Sequence, residues 1–149
     1  MGRFCDPLLF FRLTNAQTLA HLYKYDSVHG TIGDAVGHKE NALVIGGKTI
    51  QVSAITNPSE IPWAAHKVDI VLECTGRFTT GTECQAHLKA GARKVIISAP
   101  GKSIDKTLVM GVNHTEYDAQ KHHIVSNGSC TTNCLAPVTK VIHDNFGVE

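Results

Sequence analysis

The chain has 149 residues, 42% of them hydrophobic, and 14 Lys and Arg against 13 Asp and Glu, for a formal net charge of +1. That length suits one domain with a sizeable core. The even charge balance shows neither the basic excess that points to nucleic acid nor an acidic tail, and the longest apolar runs are far too short to cross a bilayer.

The first residues carry no targeting signal of ordinary form. Leu8-Leu9-Phe10-Phe11 lies between Arg3 and Arg12, but four apolar residues do not make a signal-peptide core. Met1-Gly2 is similar to a myristoylation start, yet position 6 is Asp6 rather than Ser or Thr. The expected location is cytoplasmic. Thr18 to Tyr25 is a short helical stretch. Leu43-Val44-Ile45 and Lys48 to Ala54 flank Gly46-Gly47, a strong hairpin signal. Asn57 to Pro62 is a turn-rich connection. Asp69 to Glu73 is a short apolar strand stopped by Thr75-Gly76. Thr82 to Ala90 is helical and Gly91 ends it. Lys94 to Ser98 is another buried strand, and Leu108 to Val112 and Ile124 to Ser126 are later ones. A helix then runs from the Cys130 region to Phe146, with Gly147 as its stop and Leu135, Val138, Val141, Ile142 and Phe146 as its inner face. Pro137 is awkward inside it. Either the helix bends there, or Cys130 heads a separate first turn.

Strands and helices alternate, and the strands are continuously apolar. That pattern points to a parallel sheet covered on both faces, with 68–99 as one strand–helix–strand unit. The Gly46-Gly47 hairpin is an antiparallel addition.

The five cysteines are Cys5, Cys74, Cys84, Cys130 and Cys134. Their odd count and spacing are not those of a secreted disulfide framework. No CxxC or HxxxH spacing supports zinc, so no metal is expected. Cys134 reads as a redox partner of Cys130 or as a small packed side chain. Two cysteines on one continuous helix are badly aligned for a disulfide, which favours the second reading.

The run Ser126-Asn127-Gly128-Ser129-Cys130-Thr131-Thr132-Asn133-Cys134-Leu135-Ala136-Pro137 sets a cysteine where a loop turns into a helix and surrounds it with hydroxyls. Free backbone N–H groups and the positive end of the helix dipole favour anions there. They suit a thiolate nucleophile at Cys130. With Ser129 and Thr131, they also suit a phosphate or a developing oxyanion. The alternative is a structural cysteine with Ser129 and Thr131 as helix caps, and capping and phosphate binding are compatible. Thr75 and Gly76 end one strand and Ser98 ends the next. Ligands of open α/β sheets bind at the carboxyl ends of strands, although a plain strand-to-loop turn has the same residues.

SNGSCTTNCLAP resembles the active-site segment of the phosphorylating glyceraldehyde-3-phosphate dehydrogenases. IVSN before it, VTKVIHDNFG after it, and LYKYDSVHG, DIVLECTG and HLKAGARKVIISAP further back follow the same family in the family's order from Thr14 onward. The resemblance implies an α/β fold, with a Rossmann-like doubly wound, mostly parallel sheet that is incomplete at its N-terminus and lacks the catalytic domain. It divides the chain into a divergent segment 1–13, a partial NAD-binding domain 14–129, and a nucleophile helix 130–149 that starts the catalytic domain. It implies Cys130 as nucleophile, Ser129 and Thr131 on phosphate, and Thr75, Gly76 and Ser98 on the cofactor, NAD. The implied reaction oxidises glyceraldehyde 3-phosphate to 1,3-bisphosphoglycerate with NAD and inorganic phosphate through a cysteine thioester, in glycolysis, in a homotetramer. Erythrose-4-phosphate dehydrogenase shares the cysteine motif and is the nearest enzymatic alternative.

Several positions depart from that family. Its glycine-rich pyrophosphate turn has no counterpart here, and Arg12 stands where an acidic residue for the adenosine ribose is expected. Thr56 occupies a position that is basic in the family. Gly128 replaces a small side chain, usually Ala, and is expected to loosen the backbone that aims Cys130. The family's general base is a histidine about one strand beyond the cysteine helix, and none of the nine histidines matches it. His143 lies about 20 Å along the same helix at about 1.5 Å per residue, and His122-His123 read as solvated. These departures imply a chain that is inactive alone. A non-catalytic remnant, which binds nucleotide weakly or associates with intact subunits, is the alternative of another class.

Overall fold

The computed structural model describes residues 9–11 and 15–148. Cys5, Arg12, Thr14 and the rest of the 1–13 segment outside 9–11 lie outside the described residues. Two units follow from the packing of the chain. The first runs through Ile61 and takes in Ala65–Lys67; the second comprises Pro62–Ala64 and the chain from Val68 onward.

The first unit is built on the glycine hairpin. Gly46 and Gly47 adopt φ 54° and 80°, values that glycine reaches without a Cβ clash and that match the twist of a two-residue hairpin. They join β5 (Ala42–Ile45) to β6 (Lys48–Ser53) in antiparallel register, with Ile45 opposite Lys48. Two further strands extend this sheet: β4 (Val36–Lys39), antiparallel to β5, and β1 (Leu9–Phe11), parallel to β6. Helix α1 (Ala16–Lys24) begins where the Asn15 side chain accepts the Thr18 amide at 2.8 Å, an N-cap of ordinary form. Its Leu19 and Ala20 pack with Leu43 and Ile50 of the hairpin. A two-rung ribbon, β2 (Tyr25–Asp26) with β3 (Gly30–Thr31), is held at its tip by the Asp26 carboxylate, which accepts the amides of Val28 and His29. Neither this ribbon nor β4 carries an apolar run, so periodicity does not reveal them.

The second unit is a four-stranded, all-parallel sheet. Its order is β7 (Ile70–Glu73), β8 (Lys94–Ile97), β10 (Ile124–Ser126) and β9 (Lys106–Thr107). Helix α2 (Gly81–Lys89) connects β7 to β8 and starts at a capping box. There Thr80 Oγ1 accepts the Glu83 amide and the Glu83 carboxylate accepts the Thr80 amide. Register sets Val71, Val95 and Ile124 in one row and Glu73, Ile97 and Ser126 in the next. All six are buried. Cys84 of α2 joins Val95, Ile97 and Ile124 in the core, with Phe78, Leu88, Ala99 and Ile104 around them.

The sheet's other face is open at β7. Ile70 and Leu72 point away from the core and are 55% and 65% exposed. The expected cover on both faces is therefore met on one side among the described residues. The long helix α3 (Cys130–Phe146) runs unbroken through Pro137, so Cys130 heads the same helix and not a separate turn. Gly147 closes it, donating its amide to the His143 carbonyl at 3.0 Å. The apolar stripe of α3 lies where expected but is no inner face here. None of its residues is buried, and Leu135 is 61% and Phe146 86% exposed. The strand expected at Leu108 to Val112 is also corrected. The ladder ends with the Leu108 amide on the Ser126 carbonyl, and the strand itself is Lys106–Thr107. Beyond it, Asn113 turns the chain, accepting the Val109 amide and donating to the Thr107 carbonyl.

Glu73 and His87 are buried polar residues within this core, and they are paired. The glutamate Oε2 lies 3.2 Å from His87 Nε2, and the Trp63 indole N–H donates to His87 Nδ1 at 3.2 Å. Burial pushes the Glu73 carboxyl up, but the hydrogen bonds from His87 and Thr75 outweigh burial and hold it below the ordinary glutamate value of 4.5. A lowered folded pKa stabilises the fold above 4.5, and that contribution is lost as pH falls through the folded value.

Two outcomes follow from this packing. In urea unfolding, Ile97→Ala is expected to cost about 2–5 kcal/mol, the range for a large aliphatic side chain cut back in a closed core. Leu72→Ala on the open face is expected to stay within about 0.5 kcal/mol of native. The stability difference between native chain and Glu73→Gln is expected to be present at pH 7 and to shrink as pH falls below 4.5, because the native carboxyl then also becomes neutral. Melting curves across the acid range read this directly.

Candidate active site

Parallel strands end on the same side, and each residue to which the resemblance assigns a cofactor, nucleophile or phosphate role follows a strand end. Glu73, Ile97 and Ser126 stand in register as the last residues of β7, β8 and β10. Beyond them lie Thr75-Gly76, Ser98 and Ser129-Cys130-Thr131. This is the carboxyl edge of the sheet, where ligands of open α/β folds bind.

The first strand end is a tight turn. Glu73 Oε1 accepts the Thr75 amide at 2.8 Å and the Thr75 hydroxyl, and Thr75 Oγ1 accepts the Arg77 amide at 3.1 Å. Between them Gly76 adopts φ 72°, and nothing lies within 4 Å of where a Cβ would stand. The backbone is therefore open to close approach by a flat ligand. Next, the Ser98 amide donates to the Glu73 carbonyl at 3.0 Å, tying the second strand end to the first. Thr75, Gly76 and Ser98 are all exposed.

The third end carries the cysteine. Asn127 donates its amide to the Ile97 carbonyl. Buried Ser126 donates its hydroxyl to the Ala99 carbonyl at 2.6 Å and accepts the Gly128 amide at 2.9 Å. The Asn133 side-chain amide reaches back from α3 to the carbonyls of Asn127 and Ser129, at 2.6 and 2.9 Å. Ser129 is the N-cap: its hydroxyl accepts the Thr132 amide at 2.9 Å and lies 2.8 Å from the Thr132 hydroxyl. The expected loosening at Gly128 is thus corrected. Its φ of 74° suits glycine, and five hydrogen bonds from neighbouring groups pin the loop around it.

Cys130 is the first residue of α3 and is exposed, as is Thr131. The first-turn amides of a helix have no intrahelical acceptors, so the helix start can receive an anion beside the thiol. A groove of about 640 Å³ runs from Ser129 and Thr131 along α3, past Leu135 to His143, with Asn113 on its other wall. Cys134, one turn on, and Cys74 are exposed free thiols. Cys84 is a buried one, and burial, with Glu73 and Glu83 near it, raises its pKa to about 11. His122 and His114 serve local structure, each accepting a backbone amide through Nδ1. His143 stands near the far end of α3 from Cys130. Thr56 is exposed and belongs to the first unit.

Among the described residues no group of three or more His, Cys, Asp or Glu is placed to hold a metal ion, and no described helix is long and apolar enough to cross a membrane. Sequence reasoning missed Glu73, His87, Trp63, Ser126 and Asn133 as the groups beneath the site. The available signal is a glutamate that ends an apolar strand two residues before a threonine.

Two family models match the chain. The NAD binding domain of glyceraldehyde 3-phosphate dehydrogenase matches residues 9–81, and the C-terminal domain of the same enzyme matches residues 129–149. The first match begins inside the 1–13 segment. Among curated proteins, the glyceraldehyde-3-phosphate dehydrogenase of Geobacillus stearothermophilus is 56% identical over 136 residues, which are 91% of this chain and 41% of that protein. Glyceraldehyde-3-phosphate dehydrogenase 1 of Bacillus cereus is 53% identical and the Pseudomonas aeruginosa enzyme 56%, each over 137 residues, 92% of this chain and 41% of the relative. The chain therefore spans 41% of the length of these relatives. The matched NAD-binding domain supports NAD as the cofactor, and the open Gly76 backbone at the sheet's carboxyl edge is compatible with a nicotinamide ring. With both domain models matched and more than half of the aligned residues identical, the chain is a partial member of the glyceraldehyde-3-phosphate dehydrogenase family.

Proposed function

We propose that the chain contributes the cofactor turn and the nucleophile of a cytoplasmic, glycolytic glyceraldehyde-3-phosphate dehydrogenase. The single observation behind this reading is the common carboxyl edge that bears Thr75-Gly76, Ser98 and Cys130. NAD, when bound, supplies a hydride acceptor. The Cys130 sulfur adds to the aldehyde carbon of glyceraldehyde 3-phosphate, and the carbonyl oxygen becomes an alkoxide that the helix-start amides can stabilise. Thr75, Gly76 and Ser98 would hold NAD beside that carbon, where it would take up the hydride and leave the carbon as the thioester of Cys130. An oxygen of inorganic phosphate attacks the thioester carbon. The carbon–sulfur bond breaks, the sulfur departs as thiolate, and 1,3-bisphosphoglycerate is released. Ser129 and Thr131 face the phosphate groups, while Thr75, Gly76 and Ser98 line the cofactor side. In the whole protein these parts work within a homotetramer.

A reading of another class draws on the exposed stripe of α3. On this reading the 149-residue chain is a non-catalytic remnant that binds nucleotide weakly or associates with intact subunits. Erythrose 4-phosphate remains the alternative substrate.

The purified chain, given glyceraldehyde 3-phosphate, NAD and phosphate, is expected to show no sustained rise in NADH absorbance. Continuous turnover would overturn that expectation and the remnant reading with it. Thiol reactivity tests the nucleophile separately. Cys74, Cys130 and Cys134 are all exposed, so access alone does not rank them. Iodoacetamide labelling mapped by peptide mass is expected to modify Cys130 about tenfold faster than Cys74, since the free first-turn amides of α3 favour negative charge beside the Cys130 sulfur. Cys84 should stay unmodified in the folded chain. Equal rates at Cys74 and Cys130 would remove the case for a helix-activated nucleophile.

A further inference from the structure

Three buried side chains on separate segments converge beneath the Thr75 turn, and the chemistry above uses none of them. Trp63, His87 and Glu73 are 4%, 2% and 5% exposed. A carboxylate in an apolar core is tolerated only where its oxygens are hydrogen-bonded, and here both are.

The direction of each bond follows from what the groups can do. An indole nitrogen only donates, so Trp63 forces His87 Nδ1 to accept. A neutral imidazole with an accepting Nδ1 carries its proton on Nε2, which therefore donates to Glu73. The other glutamate oxygen takes the amide and hydroxyl of Thr75, and the Thr75 oxygen takes the Arg77 amide. The donors thus converge on the Glu73 carboxylate, from the core through Trp63 and His87 and from the surface turn through Arg77 and Thr75. This arrangement commits the Thr75 amide, the Thr75 hydroxyl hydrogen and the Arg77 amide inside the turn. Gly76, at φ 72°, is left as the open backbone between them.

We propose that Trp63, His87 and Glu73 form a positioning relay that sets the shape of the Thr75-Gly76-Arg77 turn, with Thr75 acting through that shape and not by donating its hydroxyl to a ligand. The functional meaning of the relay rests on the reading of this turn as the cofactor turn; its existence does not. These are positioning residues, because none of them reaches the exposed surface of the turn.

Amide hydrogen exchange on the ¹⁵N-labelled full chain tests this, with His87→Phe and His87→Gln compared to native. His87→Phe keeps the bulk and removes both nitrogens. It is expected to raise exchange at Thr75 and Arg77 about tenfold or more, the equivalent of one charge-assisted hydrogen bond, with Val95 and Ile97 unchanged. His87→Gln keeps one donor and one acceptor and is expected to restore most of the protection. Trp63→Phe, which removes the indole N–H together with the five-membered ring and keeps an aromatic six-membered ring, serves as the second variant should His87→Phe not fold; it too should loosen Thr75 and Arg77 selectively. Native rates at Thr75 in these variants, an equal rise across β8, or a His87→Gln that behaves like His87→Phe would each overturn the relay. NAD titration of the same samples separates the two claims. Weaker binding in His87→Phe with recovery in His87→Gln supports positioning, and unchanged affinity beside a loosened turn overturns it. A native chain that fails to bind NAD would remove the cofactor reading of the turn, while the exchange rates still judge the relay.

Discussion

A parallel sheet has its strand ends at one edge, but which residues reach that edge depends on register. In this chain the register is constrained by a charge. Glu73 ends β7 on the face that meets His87, and a slip of one residue would turn its carboxylate to the opposite face. There it would lose the imidazole. The same slip would carry Leu72 into the core row beside Val95 and Ile97. The buried acid thus favours one pairing, and that pairing brings three separated strand ends to one edge.

The site is supported from below and open above. Ser126, Asn133 and Glu73 spend their polar atoms on backbone groups of the loops that carry Gly128, Ser129 and Thr75. The residues that meet solvent, Cys130, Thr131, Gly76 and Ser98, remain exposed. A loop held by several hydrogen bonds can present a cysteine with little rearrangement, which is the condition for a preorganised nucleophile. The cysteine directly follows its cap, so helix geometry fixes the position of the Cys130 Cβ relative to the first-turn amides.

Helix α3 shows where that economy stops. Its apolar residues recur at helical spacing, yet none is buried. Ile70 and Leu72 leave a second apolar surface on β7. Such surfaces are unusual on a chain at rest in water, and the relatives that match this chain are more than twice its length. Periodicity identifies the apolar side of a helix. It carries no information on whether anything covers that side.

Much of the architecture was legible from residues alone. The Gly46-Gly47 hairpin, β7, α2, β8, β10 and α3 each rest on a local signal: a turn that needs positive φ, an apolar run, a cap or a helical stripe. The ribbon at Tyr25–Asp26 and Gly30–Thr31 was not legible, because an Asp26 side chain holds it and not a hydrophobic pattern. The strand placed at Leu108–Val112 fell elsewhere because ladder bonds to β10 and the Asn113 turn overrode its apolar content. The cysteine motif, the resemblance it carries and the strand-end residues Thr75, Gly76 and Ser98 were matters of sequence, since short-range order and residue type are written there. That Glu73 lies under Thr75, locked to His87 and Trp63 from distant segments, was decided only by the tertiary structure. Hydrogen bonds between residues far apart in the chain leave no periodic trace, and a buried charge chooses its partners only when the core closes around it.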